Sequence, residues 1–102
     1  MATTEHEVAV FETEEGVNFL LVWIDDEDFA TFPDADEETF QEAIEEHPFV
    51  TERNLPVVVA FEDPNGGAPR VYGPDEYVEI VTDDFDWDEI VWGHELTLEW
   101  DD

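Results

Sequence analysis

The side chains that most often carry covalent chemistry are missing. The chain of 102 residues contains no Ser, Cys or Lys, which removes the usual hydroxyl, thiol and amine nucleophiles and leaves Thr and carboxylates. It has no Gly-rich phosphate loop. Arg53 and Arg70 are its only Lys or Arg residues, too few to stabilise a phosphoryl transition state. Carboxylates are abundant, with 31 Asp plus Glu. Paired carboxylates can act as general acid and base, but at this density pairs arise by chance. The residue types therefore predict a non-enzyme without a cofactor.

Metal chemistry has little more to work with. His6, His47 and His94 are far apart and form no two-histidine ligand spacing. His47 falls at the end of a helical pattern, where the dipole favours a cation, and His94 falls in a turn, so structural or solvated roles are expected. Asp84, Asp86 and Asp88 match positions 1, 3 and 5 of a calcium loop and Glu95 matches position 12, but position 6 is Glu89, where the loop needs Gly. No metal site is predicted, beyond weak divalent binding of the kind any acidic surface shows.

The informative chemistry is charge itself. The net charge is −29 at pH 7, which repels nucleic acid and anionic lipid and attracts basic surfaces. The acids cluster as Asp25, Asp26, Glu27 and Asp28; Asp34, Asp36, Glu37 and Glu38; Glu42, Glu45 and Glu46; and Asp83, Asp84, Asp86, Asp88 and Glu89. Same-face strand residues are about 6.6 Å apart and i,i+4 helix neighbours about 5–6 Å apart. Duplex DNA carries a phosphate about every 3.4 Å per strand, so two such rows approach its charge density. These clusters are the predicted partner-binding surface. Phe29, Phe32, Phe85 and Trp87 lie among them, either as apolar anchors or as core residues.

In composition and size the chain resembles the DNA-mimic inhibitors of phages and mobile elements, acidic proteins that block restriction enzymes, CRISPR nucleases, repair glycosylases or nucleoid proteins. That resemblance implies an inhibitor whose carboxylates occupy the basic groove of a nucleic-acid-binding protein, in the cytoplasm (the host's, if phage-encoded), as a monomer or dimer. It implies no direct contact with nucleic acid or membrane. The chain also resembles haloarchaeal proteins, which are rich in Asp and Glu and nearly free of Lys. On that alternative the acidity is a solvation device carried by a small regulatory or protein-interaction domain. The extremity of the charge favours the first reading. Placement separates them: a mimic gathers its carboxylates on one face, and a halophile spreads them.

Something must hold these residues in place. A composition that is 42% hydrophobic and 14% aromatic separates the chain from disordered acidic sequences. Its length fits one domain over residues 1–102. No secretory signal or membrane-spanning run is apparent, so a cytoplasmic protein is expected.

The pattern predicts a loose start over residues 1–5, then a hairpin of Glu7–Glu14 and Val17–Ile24 around Glu15-Gly16. An acidic loop runs to Pro33. A helix follows, capped by Asp34 with Glu37, burying Phe40, Ala43, Ile44 and His47 and ending at Pro48. Leu55–Glu62, with the unbroken apolar run Val57–Phe61, predicts a central strand buried on both faces. Asp63-Pro64-Asn65-Gly66-Gly67 is a turn. Arg70–Gly73 and Tyr77–Thr82 read as short strands, with a helix from Pro74 as the competing assignment. Glu89–Trp92 and Glu95–Trp100 read as a hairpin about Gly93-His94, with Leu96, Leu98 and Trp100 on one face. The expected fold is α+β: one antiparallel sheet of about five or six strands with one main helix packed on it.

Overall fold

The computed structural model describes residues 2–12, 16, 18–31, 36–82 and 87–100, without the side chains of Ala2, Thr31, Asp88 and Trp100. The fold is α+β. The strands are β1 (Ala2–Glu12), β2 (Asn18–Ile24), β3 (Val57–Phe61), β4 (Arg70–Tyr72) and β5 (His94–Trp100); the helices are α1 (Asp26–Thr31), α2 (Glu37–Glu45), α3 (Pro48–Arg53) and α4 (Asp75–Thr82), with a 3-10 turn at Trp87–Glu89.

The sheet has five strands in the order β4-β3-β2-β1-β5. It is mixed, not antiparallel: β2 and β3 run parallel, in register from Leu20 opposite Val57 to Ile24 opposite Phe61. A parallel pair needs a long crossover, and α1, α2 and α3 all lie in that connection. Several helices therefore replace the single one expected. β1 joins β2 over Val8–Glu12 and β5 over Ala2–Val8. The first residues are thus a strand rather than a loose start.

β5 pairs with β1, and residues 90–93 form no strand, so the final hairpin is absent. Tyr77–Thr82 is helical, as the competing assignment from Pro74 has it. The acidic stretch from Asp26 is also helical, because acids in a first turn meet the positive end of the helix dipole.

Both sheet faces are covered. One core gathers Val8, Leu20, Val22 and Ile24 of the sheet under Phe40 and Ile44 of α2 and Val50 of α3. The other gathers Ala9, Phe19, Leu21, Val58 and Ala60 under Val81 of α4, with Trp23, Trp87 and Trp92 packed against it. This explains the unbroken apolar runs of β2 and β3, since a strand covered on both faces has no polar side. Phe29 and Trp87 belong to these cores; Phe32 and Phe85 lie outside the described residues.

Local chemistry sets the helix boundaries. Asp36, not Asp34, caps α2: its Oδ1 accepts the Thr39 backbone N–H at 2.9 Å and the Thr39 hydroxyl at 2.8 Å. Those bonds hold its carboxyl below the usual range. Pro48 ends α2 and also opens α3, where His47 is the cap, its Nδ1 accepting the Phe49 N–H at 3.0 Å. His47 thus caps the start of α3 as well as following the end of α2.

Gly73 turns the chain from β4 into α4 at φ +157°. A Cβ there would sit 3.0 Å from the Val57 carbonyl oxygen and 3.3 Å from the Val58 Cα, both backbone atoms of a buried strand. Gly73→Ala should therefore lower stability by about 1–3 kcal/mol, the range for a strained backbone, read as a lower urea midpoint. An unchanged midpoint would show that β3 yields.

Candidate functional site

The predicted contact residues divide between the two sides of the sheet. α1, α2 and α3 cover one face. Glu27, Glu38, Glu42, Glu45 and Glu46 are exposed on or beside these helices. Other acids there already have local work. Asp25 accepts the Trp23 indole N–H at 3.0 Å, Asp36 caps α2, and Glu37 pairs with Arg70 at 2.7 Å. Asp28 is partly buried beside His6, and burial and the charge of Asp25 raise its pKa. Glu89 ends the 3-10 turn against the other face. Glu89, the described side chain of the second cluster, thus lies across the sheet from the exposed acids of α1 and α2. Asp34, Asp83, Asp84 and Asp86 lie outside the described residues, as does the side chain of Asp88, and with them the calcium-like spacing. Among the described residues no cluster of His, Asp or Glu could hold a metal ion.

Both arginines are engaged. The Arg70 guanidinium lies over the rings of Phe29 and Phe61, at 5.2 and 5.8 Å from their centroids. That of Arg53 lies 3.7 Å from the centroid of Phe49 and donates to its carbonyl at 3.1 Å. Arg70 ties α1 and α2 to the edge of the sheet, whereas the contacts of Arg53 stay within α3.

Three surface grooves bring together residues that are distant in sequence. One, of about 410 Å³, joins Asp25, Asp26 and Glu27 to Glu62 and Asp63. Here the Asp26 backbone N–H donates to Glu62 Oε1 at 3.2 Å. Asp63 is turned into its own loop, accepting the backbone N–H of Asn65 and of Gly67 at 3.0 Å each. A second, of about 280 Å³, is lined by Glu5, His6, Glu7, Trp23, Asp25 and Glu95. Glu7 and Glu95 stand directly opposite each other across the β1–β5 pair, an arrangement of like charges that destabilises a sheet. A third, of about 510 Å³, runs between the α2–α3 corner and β5.

Sequence reasoning missed these convergences. Glu62, Asp63, Glu5, Glu7 and Glu95 are unremarkable until the register brings them together. It also missed the burial of His6, which is only 3% exposed. Strand alternation with Val8 was the available signal.

No helix among the described residues is long and apolar enough to cross a membrane. Comparison with protein-family models, curated proteins and solved structures finds no match.

Proposed function

We propose that this chain is a non-enzymatic protein-interaction domain whose acidity is a solvation device for concentrated salt. The observation that carries this reading is placement. Exposed carboxylates stand on α1, α2, α3 and α4, on the 3-10 turn, and on β1 and β5. They cover both sides of the sheet, as solvation requires and a one-faced mimic does not. The opposed Glu7 and Glu95 add to this, because such a pair is tolerated best where salt screens it. Arg70 is already paired with Glu37, and the grooves offer none of the usual Ser, Cys or Lys nucleophiles.

Self-repulsion at this charge opposes the compact state. The screening length falls from about 30 Å at 0.01 M salt to about 3 Å at 1 M. Circular dichroism in rising KCl should therefore show a fold that is lost or weakened in dilute buffer and gains thermal midpoint into the molar range. A midpoint that stays constant from dilute to molar KCl would overturn the solvation reading.

The groove joining Asp25, Asp26 and Glu27 to Glu62 and Asp63 favours a second reading, the DNA-mimic inhibitor. It concentrates carboxylates from separate segments where a partner's cations could sit. That reading requires a stable fold in dilute buffer and displacement of duplex DNA from a basic protein, with affinity falling as salt rises.

A further inference from the structure

We propose that the outer edge of β5 is a docking site for an extended segment of another protein, one that alternates apolar with Lys or Arg residues and adds to the sheet as a further strand. The proposal rests on the protein-interaction reading and gives it a place and a partner chemistry.

β5 is the last strand of the sheet and pairs only with β1, so among the described residues nothing pairs with its other edge. It runs for 7 residues, so alternate residues present unpaired backbone N–H and C=O groups there. Such a row is a template for strand addition, in which main-chain bonds give affinity and alternate side chains give specificity.

The two faces beside this edge differ, and the difference specifies the partner. Leu96 and Leu98 point to the helix side, each 3% exposed. Next to Leu98 opens the groove of about 510 Å³, lined also by Ala43, Glu46, His47 and Pro48 of the α2–α3 corner. Side chains of an added strand that share the face of Leu96 and Leu98 would enter this groove, where Ala43, Pro48 and Leu98 offer apolar contact to Val, Ile or Leu beside the polar Glu46 and His47. Side chains on the opposite face would meet Glu95 and Glu99, both exposed, which suits Lys or Arg. Cross-strand pairs of opposite charge stabilise a sheet, and like charges oppose pairing. A second copy of this chain, adding β5 to β5, would bring Glu95 and Glu99 against their own kind, so the edge selects a basic segment over itself.

The test uses the full chain and a capped heptapeptide, Lys-Val-Arg-Val-Lys-Val-Arg. Two further versions carry backbone N-methyl groups, one on every valine and one on every basic residue. All three have the same charge. Only one methylated version carries its methyl groups on the edge that meets β5, and only that one should lose affinity, by at least about tenfold, as expected when two or three hydrogen bonds are lost. The other should bind within about twofold of the parent. Amide shifts on binding should centre on residues 94–100 and 43–48. With Glu95→Lys and Glu99→Lys together, the parent peptide should weaken and its Glu-for-Lys/Arg counterpart should bind instead, while unchanged circular dichroism establishes that the variant is folded.

Equal binding of all three peptides, with shifts scattered over the acidic helices, would overturn the docking edge in favour of unspecific charge attraction. Absence of parent binding in both dilute and molar KCl would also overturn it, as would dimerisation of the chain through β5. None of these results bears on whether KCl stabilises the fold, so failure of the docking edge and failure of the solvation reading are distinguishable.

Discussion

Phe40→Ala should cost this domain about 3–5 kcal/mol, the range for removing a buried aromatic ring and leaving a cavity. Phe40 is fully buried and sits among rings: its centroid is 5.6 Å from that of Phe29 and 5.9 Å from that of Phe61, which are themselves 5.1 Å apart. These rings join α1, α2 and β3, and Arg70 lies over two of them. Removing the Phe40 ring therefore loosens α1 and α2, two of the three helices of the crossover that makes the β2–β3 pair possible.

Small domains hold about 5–15 kcal/mol in total, and self-repulsion places this one toward the low end. Phe40→Ala should consequently be unfolded in dilute buffer and recover its fold in molar KCl. At an m-value of about 1–3 kcal/mol/M in urea, the midpoint in high salt should fall by more than 1 M or so. Phe40→Leu, which keeps most of the volume, should cost far less. A loss for Phe40→Ala under about 1 kcal/mol would show that α1 and α2 close over the gap, contrary to the close packing of such cores.

The same cluster shows what the residue pattern could and could not convey. Phe40, Ala43 and Ile44 at helical spacing predict the buried face of α2, and the run Val57–Phe61 predicts a strand covered on both faces; both features are present. The direction of pairing is different. Strand residues do not encode whether a neighbour runs parallel, and the clue lies in the long connection from residue 25 to residue 56, which the pattern reads as an acidic loop to Pro33 and one helix ending at Pro48. Its acids concealed α1, because acidic residues suit a loop and a first helical turn equally well. Pro48 concealed α3 because a proline that ends one helix can occupy the first turn of the next. Gly93-His94 imitated a hairpin turn because Ile90 and Trp92 are apolar, but they pack over the second core and leave β5 to seek β1.

The candidate surface was legible as chemistry and not as geometry. The net charge of −29 sets repulsion from nucleic acid and attraction to basic surfaces without any structure. Which carboxylates face one another depends on register: Glu7 meets Glu95 only because β5 returns to β1. The acids of 25–46 and 83–89 are expected to share a contact surface, and of the second group the structure describes the side chain of Glu89, which lies across the sheet from α1 and α2.

His6 carries the second large effect, a loss of stability on acidification. Its ring is sealed from solvent, with Nε2 2.7 Å from the Thr4 hydroxyl. Nδ1 has no hydrogen-bond partner and stands 3.8 Å from Asp28 Oδ2. Burial pulls its pKa from 6.5 down to about 4, against the opposing pull of Asp25 and of the nearby Trp23 backbone. The folded state thus resists a proton that the unfolded chain accepts. The stability tied to a neutral His6 is fully present above pH 6.5 and is lost as the pH falls towards 4. The loss integrates to about 2 kcal/mol by pH 5 and about 3 kcal/mol by pH 4. Asp28 acts in the opposite sense, since its raised pKa lets the folded state gain a proton as acid is added, but a carboxyl does so mostly at the lower end of the window.

Fewer ionised carboxylates also means less repulsion, so wild-type stability alone mixes opposing slopes. The difference between wild type and His6→Leu isolates the ring, because both chains share the remaining acids. Unfolding free energies from urea titrations in molar KCl should shift relative to each other by about 2 kcal/mol as the pH falls from 7 to 5, with wild type the one that declines. Asp28→Asn should steepen that decline by removing the anion nearest the protonated ring. A difference that stays flat from pH 7 to 5, or a His6 proton resonance titrating near 6.5, would place the ring in water and remove the buried Thr4–His6–Asp28 contact that fastens α1 to β1.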